Sequence, residues 1–186
     1  SLRNSAADHG IDKSTDSTSS NAYVQPAIPM SAGRHPRSIT MNQPSSSGAP
    51  LSVLFICMGN IRRSPTAHGV LRHKLRLRGL HERIQVDSAG THNYHPGEPP
   101  DRRSQRAAAL RGYDIADLRA RQLTDDDFEQ HDLLLTMDWD NHALTEERCP
   151  PQLRRKVRRL AEFCRRHTAA VVPDPYYGGD AGFAHV

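Results

Sequence analysis

Long apolar runs are missing from this chain, cysteines are few, and aromatic residues make up only 5% of its 186 positions. Without such a run no segment has the length to cross a membrane. The three cysteines are odd in number and irregular in spacing. They therefore exclude a disulfide framework and fit a reducing, cytoplasmic setting. Charge of one sign is also lacking: 25 Lys/Arg against 21 Asp/Glu leave a formal +4. With no interleaving of basic and aromatic residues, that small excess does not make a nucleic-acid surface. Eleven histidines are present, but they form no metal-ligand cluster, and most of them read as surface residues.

The first fifty residues lack a core. They hold fourteen Ser/Thr and one aromatic, Tyr23. Burial there is too small to offset the entropy of ordering the chain, so residues 1–50 are expected to form a disordered Ser/Pro-rich tail. The stretch also has no apolar segment of the kind that directs secretion. Four of the Lys/Arg and three of the Asp/Glu fall in it, so residues 51–186 carry a net +3. Those 136 residues are enough for one domain with its own core.

What is there begins at Val53. Val53-Leu54-Phe55-Ile56-Cys57 is a short apolar run that suits a buried strand. Met58-Gly59-Asn60-Ile61-Arg62-Arg63 follows as a tight loop, and Ser64-Pro65 reads as a helix start, with Ser as cap and Pro in the first turn. Strand, loop and helix N-terminus together make an oxyanion site, because backbone N–H groups converge there with the positive end of the helix. A thiol at its rim shares that field, which favours the nucleophilic thiolate. Gly59 and Asn60 both tolerate a positive φ. Arg63 grips two phosphate oxygens at once, which lysine cannot do. Spacing alone does not carry this reading. Cys149 to Arg155 repeats it, but with two prolines where donors are needed.

Further on, a helix is expected from Pro65 to about Arg78, with Val70, Leu71, Leu75 and Leu77 inward, stopped by Gly79. Strands follow at Ile84–Ser88, Leu133–Met137 and Val157–Leu160. Helices follow near Asp101–Arg111 (Ala107, Ala108 and Leu110 inward), after Thr124, from Asp138 to Glu147, and from Asp180. Strands alternating with helices imply a parallel α/β sheet whose ligands bind at the carboxyl ends of the strands. Asp174-Pro175-Tyr176 supplies a fixed carboxyl group, the natural donor to a departing oxygen.

In order along the chain stand Cys57-Met-Gly-Asn-Ile-Arg-Arg63-Ser64-Pro65, Asp87-Ser88-Ala89-Gly90, Arg119-Ala-Arg121-Gln122, Met137-Asp138-Trp139-Asp140-Asn141 and Asp174-Pro175-Tyr176-Tyr177-Gly178. This set resembles the low-molecular-weight protein tyrosine phosphatases across residues 51–186. The resemblance implies a flavodoxin-like fold, a four-stranded parallel sheet flanked by helices. Against that pattern the C-terminal helix is truncated at Val186, so marginal folding is expected. The resemblance further implies a phosphocysteine mechanism. Cys57 is the nucleophile, Arg63 the phosphate clamp, and Asp174 the general acid and then base. Asn60, Ser64 and Ser88 brace the loop, to which Gly59, Ile61 and Arg62 also belong. Met58, Tyr94 and Tyr176 wall the pocket for a phenyl ring. No cofactor or metal is implied. The implied partner is a phosphotyrosine protein, such as a tyrosine autokinase, acted on by a monomer.

Three positions depart from the family pattern. Arg62 stands where most members have a second loop cysteine, and its side chain is expected to point to solvent. His68 replaces a common Glu, and Leu118 replaces a histidine of some members. Other readings of the same fold are a phosphoarginine phosphatase, which carries Thr where Ile61 stands, and a thioredoxin-coupled arsenate reductase, which needs two more cysteines near residues 125–140. A non-catalytic phosphoprotein-binding module is the remaining alternative.

Overall fold

The computed structural model describes residues 48–166 and 168–186. Most of the stretch expected to be a tail, residues 1–47, lies outside the described residues. Four strands, β1 (Leu51–Cys57), β2 (Ile84–Gly90), β3 (Leu133–Thr136) and β4 (Val157–Arg159), form one sheet in the order β2-β1-β3-β4. Every pairing is parallel, and β1 is central, matching Leu54 with Asp87 on one side and Leu134 on the other. The α/β sheet expected from the alternation of patterns is present.

The apolar run of β1 is continuous because both faces of the sheet are covered. Successive residues of a strand point to opposite faces. Leu54 and Ile56 join Ala89, Leu123, Phe128, Leu134, Cys149 and Val157 in one core layer. Phe55 and Cys57 join Leu135 and Met137 in the other, backed by Ala67, Leu71 and Val172. The helices are α1 (Arg63–Leu77), α2 (Arg102–Ala109), α3 (Asp126–Gln130), α4 (Trp139–Arg148) and α5 (Gly179–His185). Single 3₁₀ turns occupy Pro151–Lys156, Leu160–Phe163 and Pro175–Tyr177. In the repeat of the Cys-x5-Arg spacing, Cys149 ends α4 and Pro151 to Arg155 lie in the first of these.

Several expectations need correction. Helix α1 starts at Arg63, two residues early, so Ser64 lies inside the first turn and does not cap it. Pro65 is tolerated there because the first N–H groups of a helix have no intrahelical partner. Leu77 and Leu110 are exposed, at 75% and 82%. Each follows a buried residue, Leu75 or Ala108, by two positions, and residues two apart do not share a helix face. Gly79 and Gly112 take positive φ and end α1 and α2 as expected.

Candidate active site

Between the end of β1 and the start of α1 the chain folds into a ring, and its carbonyls set the ring's polarity. Cys57 O accepts from Thr91 N, Met58 O from His92 N, Ile61 O from Asp101 N, and Arg62 O from Thr66 N. All four carbonyls are bonded to surrounding backbone. A trans peptide points its N–H opposite to its C=O. The amides of Met58, Gly59, Arg62 and Arg63 are therefore aimed away from those partners, and backbone N–H groups left in this way are the donors an anion site needs. Close packing sets the ring in place: a Cβ on Gly90 would lie 2.8 Å from Met58 O and 3.0 Å from Asn60 N.

Asn60 is the residue in the left-handed region, at φ 50°. Gly59, expected to share that role, does not have a positive φ. Its lack of a side chain leaves room for His95, whose Cδ2 would be 3.3 Å from an added Cβ. Asn60 is buried and bonded at both ends of its amide. Nδ2 donates to Ser64 Oγ at 2.9 Å, and Oδ1 accepts from the Arg121 amide at 2.9 Å. Ser64 Oγ in turn lies 3.1 Å from Cys57 Sγ and 3.3 Å from Ala89 O. The Asn60–Ser64–Cys57 chain joins three of the expected site residues. Ser88 does not join it. Its hydroxyl meets His68 Nδ1 at 3.4 Å, behind the loop. Burial lowers the His68 pKa to about 4, against the opposing pull of Asp87.

Arg63 is almost wholly buried and reaches three partners. Nη2 donates to Asp174 Oδ2 at 2.9 Å, while Nη1 donates to Asp138 Oδ2 and to Val172 O. The structure thus brings Arg63 and Asp174 together across 111 residues. Asp138 follows a strand end on the ligand-binding edge of the sheet, but its sequence context assigns it no catalytic part. One of its oxygens caps α4 by accepting from the Asn141 amide, and the other holds Arg63. Its position just past β3 was the available signal, since that strand ends beside Cys57. Arg121 was passed over in the same way. Besides pinning Asn60 by its amide, its guanidinium bridges Asp87 and Asp127. Burial works against the Arg121 charge, but the bonds to Asp127 and Asp87 prevail and raise its pKa. Among the described residues no three His, Cys, Asp or Glu side chains gather as a metal site.

A family described as low molecular weight phosphotyrosine protein phosphatase matches residues 52–186, which take in the loop and all of the sheet but Leu51. The chain belongs to that family. It is 40% identical over 139 residues to a low molecular weight protein-tyrosine-phosphatase of Streptomyces coelicolor, covering 70% of this chain and 81% of the relative. It is 36% identical over 140 residues to the human low molecular weight phosphotyrosine protein phosphatase, covering 74% and 87%. Among solved structures, a protein tyrosine phosphatase from Entamoeba histolytica with Hepes in its active site superposes with a TM-score of 0.70 at 38% identity, covering 73% of this chain and 86% of that one.

The three residues expected to wall the pocket share one property in this low molecular weight phosphatase. Met58, Tyr94 and Tyr176 are all exposed. Tyr94 stacks on His92 at 4.9 Å and lies near Gly59. Ile61 is buried. Arg62 overturns the expectation of a solvent-facing side chain. Its Nε donates to Asp101 Oδ2 at 3.1 Å, and its guanidinium lies 4.7 Å from the centre of the Tyr176 ring. Burial pushes the Asp101 carboxyl up, yet hydrogen bonds from Arg103 and Arg62 outweigh it and hold the pKa at about 2. The three cysteines are free, Cys57 and Cys149 buried and Cys164 exposed.

Proposed function

We propose that this phosphatase hydrolyses phosphotyrosine monoesters in two displacements through a phosphocysteine intermediate. One observation carries the reading: Cys57 opens a loop whose carbonyls at 57, 58, 61 and 62 bond to surrounding backbone, with Ser64 Oγ 3.1 Å from its Sγ and Arg63 beginning the next helix. The Cys57 thiolate attacks phosphorus, the S–P bond forms, and the P–O bond to the phenol breaks. Asp174 gives its proton to the departing oxygen. A water then attacks phosphorus and hands a proton to Asp174, and the S–P bond breaks to release phosphate. The loop amides and Arg63 stabilise the equatorial oxygens as charge spreads over them. Ser64, held by Asn60, donates to the Cys57 thiolate. Splitting the reaction is ordinary covalent catalysis, and a positioned acid adds roughly 10²–10⁴-fold.

The test is turnover by purified protein of a phosphotyrosine peptide and of para-nitrophenyl phosphate. Cys57→Ser abolishes both while inorganic phosphate still binds. Near-normal turnover by Cys57→Ser overturns the mechanism. A phosphoarginine peptide, and arsenate with thioredoxin, run beside these as the rival substrates and are turned over poorly. The reading extends to phosphotyrosine proteins, tyrosine autokinases among them, as substrates of a cytoplasmic monomer. Its support is the family resemblance and three unpaired cysteines that suit a reducing compartment. Among the described residues no helix is long and apolar enough to cross a membrane.

A further inference from the structure

We infer that Arg62 is a positioning residue for the general acid: by stacking on Tyr176 while paired to Asp101, it fixes the turn that aims Asp174. The inference rests on Asp174 being the acid of the proposed reaction.

The geometry runs from the loop to the acid in three steps. Arg62 is the last loop residue, directly before Arg63, and a planar guanidinium can pair and stack at once. Its Nε is taken by Asp101 Oδ2, which leaves the flat of the group over the Tyr176 ring at 4.7 Å. Tyr176 is not a remote neighbour of the acid. Its backbone amide donates to Asp174 Oδ1 at 3.0 Å, in the 3₁₀ turn Pro175–Tyr177 that Asp174 itself caps. The ring covered by Arg62 therefore belongs to the residue whose amide orients the Asp174 carboxyl. The other oxygen of Asp174 meets Arg63.

The anchor of this arm is itself fixed. Asp101 caps α2, accepts from the Arg103 side chain, and returns its own amide to Ile61 O in the phosphate loop. Arg62 is thus tied to a residue already bonded to the loop it belongs to. From the far side, α5 packs on the same turn: Gly182 N donates to Gly178 O, and a Cβ on Gly182 would meet the Pro175 backbone at 3.3 Å. Arg103 lies 4.5 Å over Phe183 of that helix. Two arginines that share Asp101 accordingly hold the acid turn and the helix behind it. A shorter, uncharged side chain at position 62 would neither span this gap nor place a cation on the ring. A cation–π contact of this kind is modest in strength, but its effect on rate comes through the aim of the acid.

The experiment measures kcat/KM over a series of aryl phosphates whose leaving phenols range from good to poor. The proteins are the full chain, Arg62→Ala, Arg62→Lys, Asp101→Asn, Asp174→Ala and the Arg62→Ala/Asp174→Ala pair. Asp174→Ala steepens the dependence on leaving group. Arg62→Ala steepens it in part, losing about tenfold on phenyl phosphate out of the roughly 10²–10⁴-fold a positioned acid supplies. It changes little on dinitrophenyl phosphate, which needs no proton. Arg62→Lys recovers part of the loss. Asp101→Asn, which keeps a capping side chain but loses the charge, repeats the Arg62→Ala pattern. In the pair, Arg62→Ala adds nothing to Asp174→Ala. An equal loss on all esters, or an additive loss in the pair, overturns the inference while the acid assignment stands. A flat dependence in Asp174→Ala overturns the acid assignment and the inference with it.

Discussion

Replacing Asn60 by alanine removes the two buried hydrogen bonds that pin the ring and leaves a β-carbon at φ 50°. Each bond contributes about 0.5–1.5 kcal/mol net, and the left-handed conformation costs an alanine about 1 kcal/mol more than an asparagine. The sum is a loss of about 2–4 kcal/mol from a domain whose total stability is of the order of 5–15 kcal/mol. Asn60→Gly separates the contributions. It loses the same bonds but not the conformational strain, so it is expected to be more stable than Asn60→Ala by about 0.5–1 kcal/mol. Asn60→Asp keeps an acceptor for the Arg121 amide and loses the donor to Ser64, so it should fall between wild type and glycine. Urea unfolding at pH 7 measures all three, and phosphate binding reports whether the ring holds its shape. If alanine and glycine are equally stable, the strain argument is wrong. If neither differs from wild type by more than about 0.5 kcal/mol, the ring is not held by Asn60 at all.

Two further expectations concern acid and oxidation. His68 stays neutral in the folded chain down to about pH 4, whereas the unfolded chain protonates near 6.5. Between those values the unfolded state binds more protons, so stability falls as pH drops from 6.5 toward 4, by up to about 3 kcal/mol at the bottom of that window. Asp101, held at about 2, weakens the fold only at lower pH. Urea midpoints at pH 7 and 5 should therefore differ less in His68→Gln than in wild type, and an unchanged difference refutes the assignment. As for oxidation, Cys57 has Arg62 rather than a cysteine beside it, and Cys149 packs in the layer on the opposite face of the sheet. Peroxide should drive Cys57 past the sulfenic acid, with activity poorly restored by dithiothreitol and added oxygen visible by mass spectrometry. Full recovery after a stoichiometric dose counts against this.

The strand-loop-helix around Cys57 was legible because its chemistry is local: nine residues contain the thiol, the left-handed asparagine and the start of the helix. β4 was legible through Val157, which is buried even though Arg158 beside it is exposed. What escaped was set by distance or direction. Arg63 was assigned to phosphate from its type, but its partners lie 75 and 111 residues on, where no local pattern reaches. Ser64 was expected both to cap the helix and to serve the loop, and only the second role is present: its hydroxyl meets Asn60 and the Cys57 thiol. Arg62 was visible as a departure from the family, but a linear sequence does not say which way a side chain turns. Asp101, the group that turns it, was read only as a helix start.

The paired carboxylates on Arg63 have a thermodynamic consequence. A phosphate dianion entering the ring does not meet a bare cation, since Nη2 already holds Asp174 and Nη1 holds Asp138. If Arg63 is the proposed phosphate clamp, capture exchanges one ion pair for another, and its affinity is a difference between them. On the proposed mechanism the exchange has a second product, because it releases, toward the leaving group, the Asp174 oxygen that Arg63 holds. Loading the clamp and arming the acid are then one equilibrium. The reverse exchange lets phosphate go, with Asp174 replacing it on the guanidinium.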